Sequence, residues 1–234
     1  MYSRELLAVF DEVARTLKMQ RRMGVRGFDC GQKAVERLAG WDRGLVQHSE
    51  SLDAIRADLG QCTRCPLAET RHSIVFGEGN PQARLLFVGE APGFEEDKSG
   101  RPFVGAAGQL LDKIIAAIHL KRNEVYIGNI IKCRPPRNRD PQPDEIHTCF
   151  PFLKRQIAAI SPEFICTMGR HAAQTLLGTT APISRLRGRF YEFGGITVLP
   201  TYHPAYLLHN PDQKRAVWED MKRLMEAMGI DHAG

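Results

Sequence analysis

From Arg84 onward, short apolar runs alternate with longer amphipathic stretches, and this alternation constrains the fold more than any other feature of the chain. The runs at residues 85–88, 125–130 and 164–167 have the length of buried strands, and stretches of helical periodicity separate them. This order is typical of βα units around a parallel sheet. The sequence therefore predicts an α/β protein, a three-layer sandwich with a central, mainly parallel sheet.

The two ends of the chain add further elements. The pair Gly194-Gly195 predicts a tight turn between the last two strands, and a final helix is predicted between Asn210 and Gly229. Residues 1–55 hold two amphipathic stretches around a basic, glycine-broken middle. We therefore expect a helical N-terminal extension over residues 1–55 and one main domain over residues 56–234.

Composition excludes some classes of protein. The 234 residues are 43% hydrophobic and 25% charged, as in an ordinary globular protein. No apolar run approaches the roughly 20 residues that span a membrane, and the N-terminal stretch lacks the apolar core of a secretory signal. We expect a cytoplasmic protein without a membrane role. The net charge of +5 suits a polyanionic partner, although many proteins that bind none share it.

Three segments follow predicted strands directly: residues 89–93, 129–139 and 202–208. Ligands of an open parallel sheet bind beyond the carboxyl ends of its strands. The functional residues are therefore expected in these three segments.

Four of the six cysteines form two pairs. Cys62 and Cys65 are separated by two residues, and Cys133 and Cys149 by fifteen. In a chain without an export signal such cysteines are expected to be reduced and to bind metal rather than to form disulfides. Four thiolates hold either a zinc ion or an iron–sulfur cluster, and their number alone does not choose between the two. Cys166 lies inside an apolar strand and is assigned no role.

The three strand-end segments and the cysteines together resemble the family 4 uracil-DNA glycosylases, which are iron–sulfur proteins with the uracil-glycosylase α/β fold. The resemblance runs in order from Cys62 to about Met228. Its segments are Cys62-x-x-Cys65-Pro-Leu, Gly89-Glu-Ala-Pro-Gly93, Gly100-Arg-Pro-Phe-Val-Gly105, Asn129-Ile-Ile-Lys-Cys-Arg-Pro-Pro136, Cys149 and His203-Pro-Ala-Tyr-Leu-Leu208.

The resemblance implies an activity, a cofactor and a partner. The activity is hydrolysis of the bond between uracil and deoxyribose in single- or double-stranded DNA, which leaves an abasic site. The cofactor is a [4Fe-4S] cluster bound by the four paired cysteines, and we expect a monomer. The cluster would order the loop after Asn129, so that Lys132, Arg134, Arg137 and Arg139 face DNA phosphates.

The resemblance also implies the roles of site residues. Phe103 stacks on an everted uracil, and Asn129 pairs with its Watson–Crick edge. His203 donates a hydrogen bond to uracil O2 as negative charge develops there. Glu90 orients the attacking water, because Ala91 stands where the best-known branch of the superfamily has an aspartate. The other histidines, His171 among them, are assigned no role.

Further residues are predicted to contact the uracil or the DNA phosphates, on weaker sequence signals. Gly89 and Ala91 are assigned to the uracil site by the resemblance, and Glu96 is expected near uracil C5, where it would help to exclude the thymine methyl. Arg185 and Arg187, together with Arg189, alternate along a segment that we expect to be extended. They either contact phosphate or form an exposed strand face.

Two alternatives stay open at this stage. One is a covalent uracil-DNA binder of the same superfamily, whose basic Lys-Arg-Arg-Ile-His motif this chain replaces by a proline-rich loop. The other is a non-catalytic DNA-binding module that uses its iron–sulfur site for structure only.

Overall fold

A single sheet forms the centre of the structure, a computed structural model that describes residues 50–230. Within that range the sheet has six strands in the order β1-β3-β2-β4-β6-β5. The inner strands β3, β2, β4 and β6 are parallel, and β1 and β5 pair antiparallel at the two edges. The strands are β1 (Glu78–Gly79), β2 (Leu85–Gly89), β3 (Tyr126–Asn129), β4 (Phe164–Met168), β5 (Tyr191–Phe193) and β6 (Ile196–Thr201).

Helices cover both faces of this sheet. The α-helices of the described range are α1 (Leu52–Leu59), α2 (Phe94–Ser99), α3 (Ala106–Ala117), α4 (Pro143–Ile160), α5 (Arg170–Leu177), α6 (Ile183–Leu186), α7 (Pro204–His209) and α8 (Lys214–Met228). Short 3-10 turns occur at Pro66–Glu69, Pro136–Asn138 and Pro211–Gln213. None of the described helices combines the length and the apolar character needed to cross a membrane.

Alternation along β2 shows how the layers are built. Leu85 and Phe87 pack with α3 and α8 in one core, whereas Leu86 and Val88 pack with α4 and α5 in the other. Strands buried on both faces read as continuous apolar runs, which is why the sequence predicted them. The predicted fold class, an α/β three-layer sandwich with a mainly parallel sheet, is confirmed.

Several local predictions were incomplete. The edge strand β1 and the short helices α2 and α7 were not predicted, because each is too short to show periodicity. Residues 185–189 were expected to be extended, but α6 occupies Ile183–Leu186 and Gly188 adopts φ +69°. The predicted one-sided row of arginines is therefore wrong.

Helix α1 packs against α4 and belongs to the same compact unit as the sheet. Its Ile55 and Leu59 are buried beside Phe76 and Phe152. The rest of the predicted N-terminal extension lies outside the described residues, so the division at residue 55 stays a prediction.

Candidate active site

A cavity of about 300 Å³ opens at the carboxyl ends of the parallel strands. Segments that follow β2, β3 and β6 converge on it, as the sequence predicted for the three strand-end segments. It is lined by Glu90, Ala91, Pro92, Gly93, Glu96, Phe103, Ala107, Asn129, Pro135, Asn138, Arg139, His203 and Ala205.

Asn129 ends β3 beside Gly89, the last residue of β2. The Asn129 side chain is buried, and its Oδ1 has no hydrogen-bond partner in the described part of the chain. A buried amide oxygen without a partner is costly, and native structures rarely keep one without a reason. Because Asn129 is one of the residues that line the cavity, a ligand in the cavity that donates a hydrogen bond could supply the missing partner.

Phe103 forms the aromatic wall of the cavity. It adopts φ +51°, a left-handed conformation that is unusual for a bulky residue. A Cβ on Gly108 would come within 2.0 Å of the Phe103 carbonyl oxygen, so the first turn of α3 can approach Phe103 only because residue 108 is glycine. The ring centroid lies 5.6 Å from that of His203. Packing thus holds the ring in a strained position at the ligand site.

Glu96 joins the two loops that line the cavity. Its Oε2 accepts a hydrogen bond from Gly93 N at 3.1 Å, and its Oε1 accepts from Val104 N and Gly105 N at 2.8 and 2.9 Å. Both carboxylate oxygens are therefore used by the backbone. The predicted role of Glu96 beside a bound base stays a prediction, and its observed contacts fix the loop that carries Phe103.

His203 caps the N-terminus of α7. Its Nδ1 accepts a hydrogen bond from Ala205 N at 3.1 Å, so in the neutral ring the proton lies on Nε2. Burial lowers the pKa of His203 to about 4, although the nearby Glu96 acts in the opposite direction. A neutral ring with a protonated Nε2 can donate a hydrogen bond into the cavity at neutral pH.

Glu90 follows β2 and contributes a carboxylate to the cavity. Burial raises its pKa, and His171, when protonated, and Arg170 oppose that rise. One ligand atom each from Glu90, Asp140 and His171 lies within 4.8 Å of the others. The sequence interpretation assigned His171 no role and did not consider Asp140. The position of His171 just beyond β4 was the signal that could have indicated it.

The four paired cysteines gather beside the loop after β3. Cys149 on α4 interacts electrostatically with Cys62 and Cys65, and Cys133 interacts with Cys65 and Cys149. Their sulfurs also receive hydrogen bonds: Arg64 donates to Cys62 at 3.5 Å, Arg71 to Cys133 at 3.4 Å, and the Lys132 amide to Cys149 at 3.3 Å. Such donors suit sulfur that carries negative charge.

The spacing of these sulfurs bears on what they can hold. In the described range, no three cysteine sulfurs all lie within 4.8 Å of one another. A tetrahedral zinc site with Zn–S bonds of about 2.3 Å would place its sulfurs roughly 3.8 Å apart. Among the described residues, these sulfurs thus do not lie at the spacing of a four-thiolate zinc site. Cys166 is buried in β4, away from the other four.

Two predicted DNA contacts are wrong because their charges are used inside the protein. Lys132 is fully buried, and its Nζ donates to the Asn129 carbonyl oxygen at 2.9 Å. Arg187 donates to the buried Asp220 at 2.6 Å and also to the Ala216 carbonyl oxygen. Lys132 therefore cannot reach a phosphate, and the charge of the partly exposed Arg187 is already paired with Asp220.

The other predicted DNA contacts lie at the surface. Arg137 and Arg185 are exposed, and Arg137 adopts φ +56° in the loop after β3. Arg134 lies over the exposed Phe94 ring, 5.1 Å from its centroid, and donates to Asn138. Arg139 pairs with the buried Glu145 at the edge of the cavity. Their contact with DNA stays a prediction.

Comparison with known proteins identifies the family. Residues 76–222 match the model of the uracil DNA glycosylase superfamily. A type-4 uracil-DNA glycosylase of Sulfurisphaera tokodaii is 46% identical over 76% of this chain and 84% of its own length. One of Thermotoga maritima is 43% identical over 76% of this chain and 95% of its own length. A type-5 uracil-DNA glycosylase of Pyrobaculum aerophilum is 27% identical over 74% of this chain and 90% of its own length. By its fold, its strand-end cavity and these similarities, the chain belongs to the uracil DNA glycosylase superfamily and, within it, to the type-4 uracil-DNA glycosylases.

Proposed function

We propose that this protein hydrolyses the N-glycosidic bond of uracil in DNA, releasing uracil and leaving an abasic site for base-excision repair. The observation that carries the proposal is the unpaired, buried Oδ1 of Asn129 at the wall of a cavity that also contains Phe103, His203 and Glu90. The cavity, about 300 Å³, is at the lower end of the range for small-ligand sites, which suits a single base.

Recognition of the base depends on Asn129. A base in a duplex is out of reach, so uracil must first be rotated into the cavity, at a cost of a few kcal/mol. Its N3–H then donates to Asn129 Oδ1, and its O4 accepts from the amide nitrogen. Cytosine offers an acceptor at N3 and a donor at C4, so it would leave buried groups unpaired. Phe103 supplies the surface on which the ring stacks.

Departure of the base depends on His203. Uracil leaves as an anion, and the neutral His203 ring can donate from Nε2 to O2 as the charge develops. A neutral donor already in place needs no proton transfer and little reorganisation.

Glu90 serves the sugar. Its carboxylate orients the water that attacks C1′ and offsets the positive charge of the sugar in the transition state. The water oxygen forms the new bond to C1′ as the bond to uracil N1 breaks, and the proton that the water loses passes to the Glu90 carboxylate. Because burial favours the neutral acid, this role depends on neighbours that keep Glu90 charged. Gly89 and Ala91 bring the backbone close to the base, and Glu96 narrows the cavity by positioning Phe103.

We also propose that Cys62, Cys65, Cys133 and Cys149 bind a [4Fe-4S] cluster. Two observations support this ligand set: among the described residues no three of these sulfurs lie at zinc-site spacing, and three of the four receive hydrogen bonds. The cluster would tie the segment before β1 to α4 and to the loop after β3. That loop carries Arg134, Arg137 and Arg139, which are proposed to bind phosphate and to position the DNA.

Cys149→Ala and Cys166→Ala test the cofactor separately from the activity. We expect Cys149→Ala to lose iron and visible absorption, whereas the matched Cys166→Ala keeps both. Zinc in place of iron in the purified wild-type protein would contradict the assignment.

Incubation with oligonucleotides that contain uracil or thymine, followed by alkali cleavage, tests the activity. We expect abasic sites from uracil DNA only, and a steep loss of activity in Glu90→Gln and in Asn129→Ala with visible absorption unchanged. A wild-type protein that binds uracil DNA without forming abasic sites would favour the non-catalytic module. A protein band shifted by covalently attached DNA on a denaturing gel would favour the covalent binder. A cytoplasmic location and a monomeric state remain predictions.

A further inference from the structure

The sheet changes the direction of its strand order between β2 and β4. From β2 the chain crosses to β3 on one side and returns to β4 on the other. Loops that leave two such neighbouring strands diverge and open a crevice between them. Glu90 directly follows β2, and His171 lies three residues after β4, so both stand at this crevice.

The loop after β3 also contacts this crevice, through Asp140. Asp140, in the loop after β3, lies with its Oδ2 3.1 Å from Nε2 of His171. Arg170 donates to the same Asp140 oxygen at 2.7 Å and lies 2.8 Å from His171 Nε2. We call Glu90, Asp140, Arg170 and His171 the crevice cluster. Because it joins the loops after β2, β3 and β4, it can fix how Glu90 faces the cavity.

Within the crevice cluster, the basic side chains of His171 and Arg170 are the ones that favour an ionised Glu90. Burial raises the pKa of Glu90, and Asp140 raises it further. His171, when protonated, and Arg170 lower it. The remaining charged or titratable side chains that line the cavity are Glu96, Arg139 and His203. Glu96 is bound to backbone amides and Arg139 to Glu145, so both already have partners other than Glu90.

A bound metal ion is a poorer interpretation of the same residues. The Arg170 guanidinium already contacts the His171 nitrogen and the Asp140 oxygen that a cation would need.

We propose that His171 is a positioning residue, which is held in place by Asp140 and, with Arg170, keeps the Glu90 carboxylate in its charged form and directs it toward the cavity. The inference rests on the proposed function of Glu90 and names the residues that make that function possible. His171 itself does not touch the base or the sugar, and its effect passes through Glu90.

A double-mutant comparison tests whether the effect of His171 on uracil release passes through Glu90. Single-turnover rates of uracil release are measured against pH for the wild-type protein, His171→Ala, Glu90→Gln and the double variant. We expect His171→Ala to slow release about tenfold, as is usual when two groups in contact are uncoupled. The acidic limb of its rate–pH profile should move to higher pH, while affinity for uracil DNA changes less than about twofold. In the Glu90→Gln background the same substitution should have no further effect.

Two further measurements complete the design. The control His119→Asn changes an exposed histidine at the C-terminal end of α3, where Asn tolerates the φ of +59°, and should match the wild-type protein. A ¹³C titration of the Glu90 carboxyl, assigned with Glu90→Gln, reports the pKa without any need for activity. That pKa should rise in His171→Ala.

The outcomes separate the two proposals. Absence of uracil release by the wild-type protein would overturn the proposed function, whereas the carboxyl titration would still decide the role of His171. An unchanged Glu90 pKa in His171→Ala would overturn the inference. The inference would also be overturned if His171→Ala slowed release equally in the wild-type protein and in the Glu90→Gln background. An effect of His171→Ala on DNA affinity alone would overturn it as well.

Discussion

The side-chain oxygen of Asn129 lies so close to the backbone of Gly89 that a Cβ on residue 89 would come within 2.4 Å of it. The same Cβ would meet the Phe103 ring at 2.6 Å. Neither contact is possible without movement of the two side chains that recognise the base. The end of β2 thus sets the position of both, and glycine is the residue that permits it.

Gly89→Ala should therefore displace Asn129 and Phe103. A misplacement of about 1 Å can cost on the order of a hundredfold in rate, and overpacking costs about 1 to 3 kcal/mol of unfolding free energy. Uracil release and urea unfolding measure the two effects. Gly194→Ala serves as the control. Its φ of +58° penalises alanine, but no atom lies within 4 Å of the new Cβ, so it should destabilise the fold without displacing Asn129 or Phe103. A Gly89→Ala protein with wild-type activity would show that the base binds elsewhere.

Glu96→Ala should leave the amides of Gly93, Val104 and Gly105 without their acceptor. A fully buried donor that loses its partner costs about 1 to 3 kcal/mol. These three amides are half-buried, so each should cost less, and the Phe103 loop should loosen. We expect a lower unfolding free energy and a higher KM in Glu96→Ala. Glu96→Gln keeps one acceptor oxygen, so its unfolding free energy and its KM should each change less. Wild-type stability in Glu96→Ala would mean that water replaces the carboxylate at no cost.

Arg187→Ala and Arg137→Ala should affect different properties. Removal of Arg187 leaves the buried Asp220 without its cation, which should cost about 3 kcal/mol of stability without changing the salt dependence of DNA binding. Removal of the exposed Arg137 should reduce the slope of log K against log salt by about 1 and leave stability unchanged. Binding titrations at several salt concentrations and denaturant unfolding distinguish the two. A reduced salt slope in Arg187→Ala would restore it as a phosphate contact.

His203 should make the stability of the fold depend on pH. Its folded pKa of about 4 lies below the usual value of 6.5. Between these values the unfolded chain binds a proton that the folded protein does not, so His203 destabilises the fold increasingly as the pH falls from about 6.5 to about 4. His203→Asn keeps a residue able to cap α7 and removes this dependence. Unfolding free energies of both proteins at pH 7 and pH 4.5 should show the larger loss in the wild-type protein. Equal losses would mean that His203 titrates normally in the fold.

The sequence predicted the parts of the structure that a local pattern specifies. Doubly buried strands such as β2 and β4 appear as unbroken apolar runs, and the glycine pair before β6 marks its turn. The resemblance predicted part of the site, and the cavity lining includes the predicted Glu90, Asn129 and His203, whose roles stay predictions.

What the sequence could not predict depends on contacts between distant segments. In the sequence Lys132 resembles a surface cation, but in the structure it is fully buried and donates to the Asn129 carbonyl oxygen. Arg187 looks exposed until α8 brings Asp220 beside it. His171 and Asp140 gain significance only because β2 and β4 are neighbours. None of these pairings leaves a periodic or motif-like trace in the chain.

A crystal structure with free uracil would test the central claim most directly. We predict that the base lies against Phe103, with N3 within hydrogen-bond distance of Asn129 Oδ1 and O2 facing Nε2 of His203. Uracil bound outside this cavity, or bound inside it with Asn129 Oδ1 still unpaired, would contradict the account.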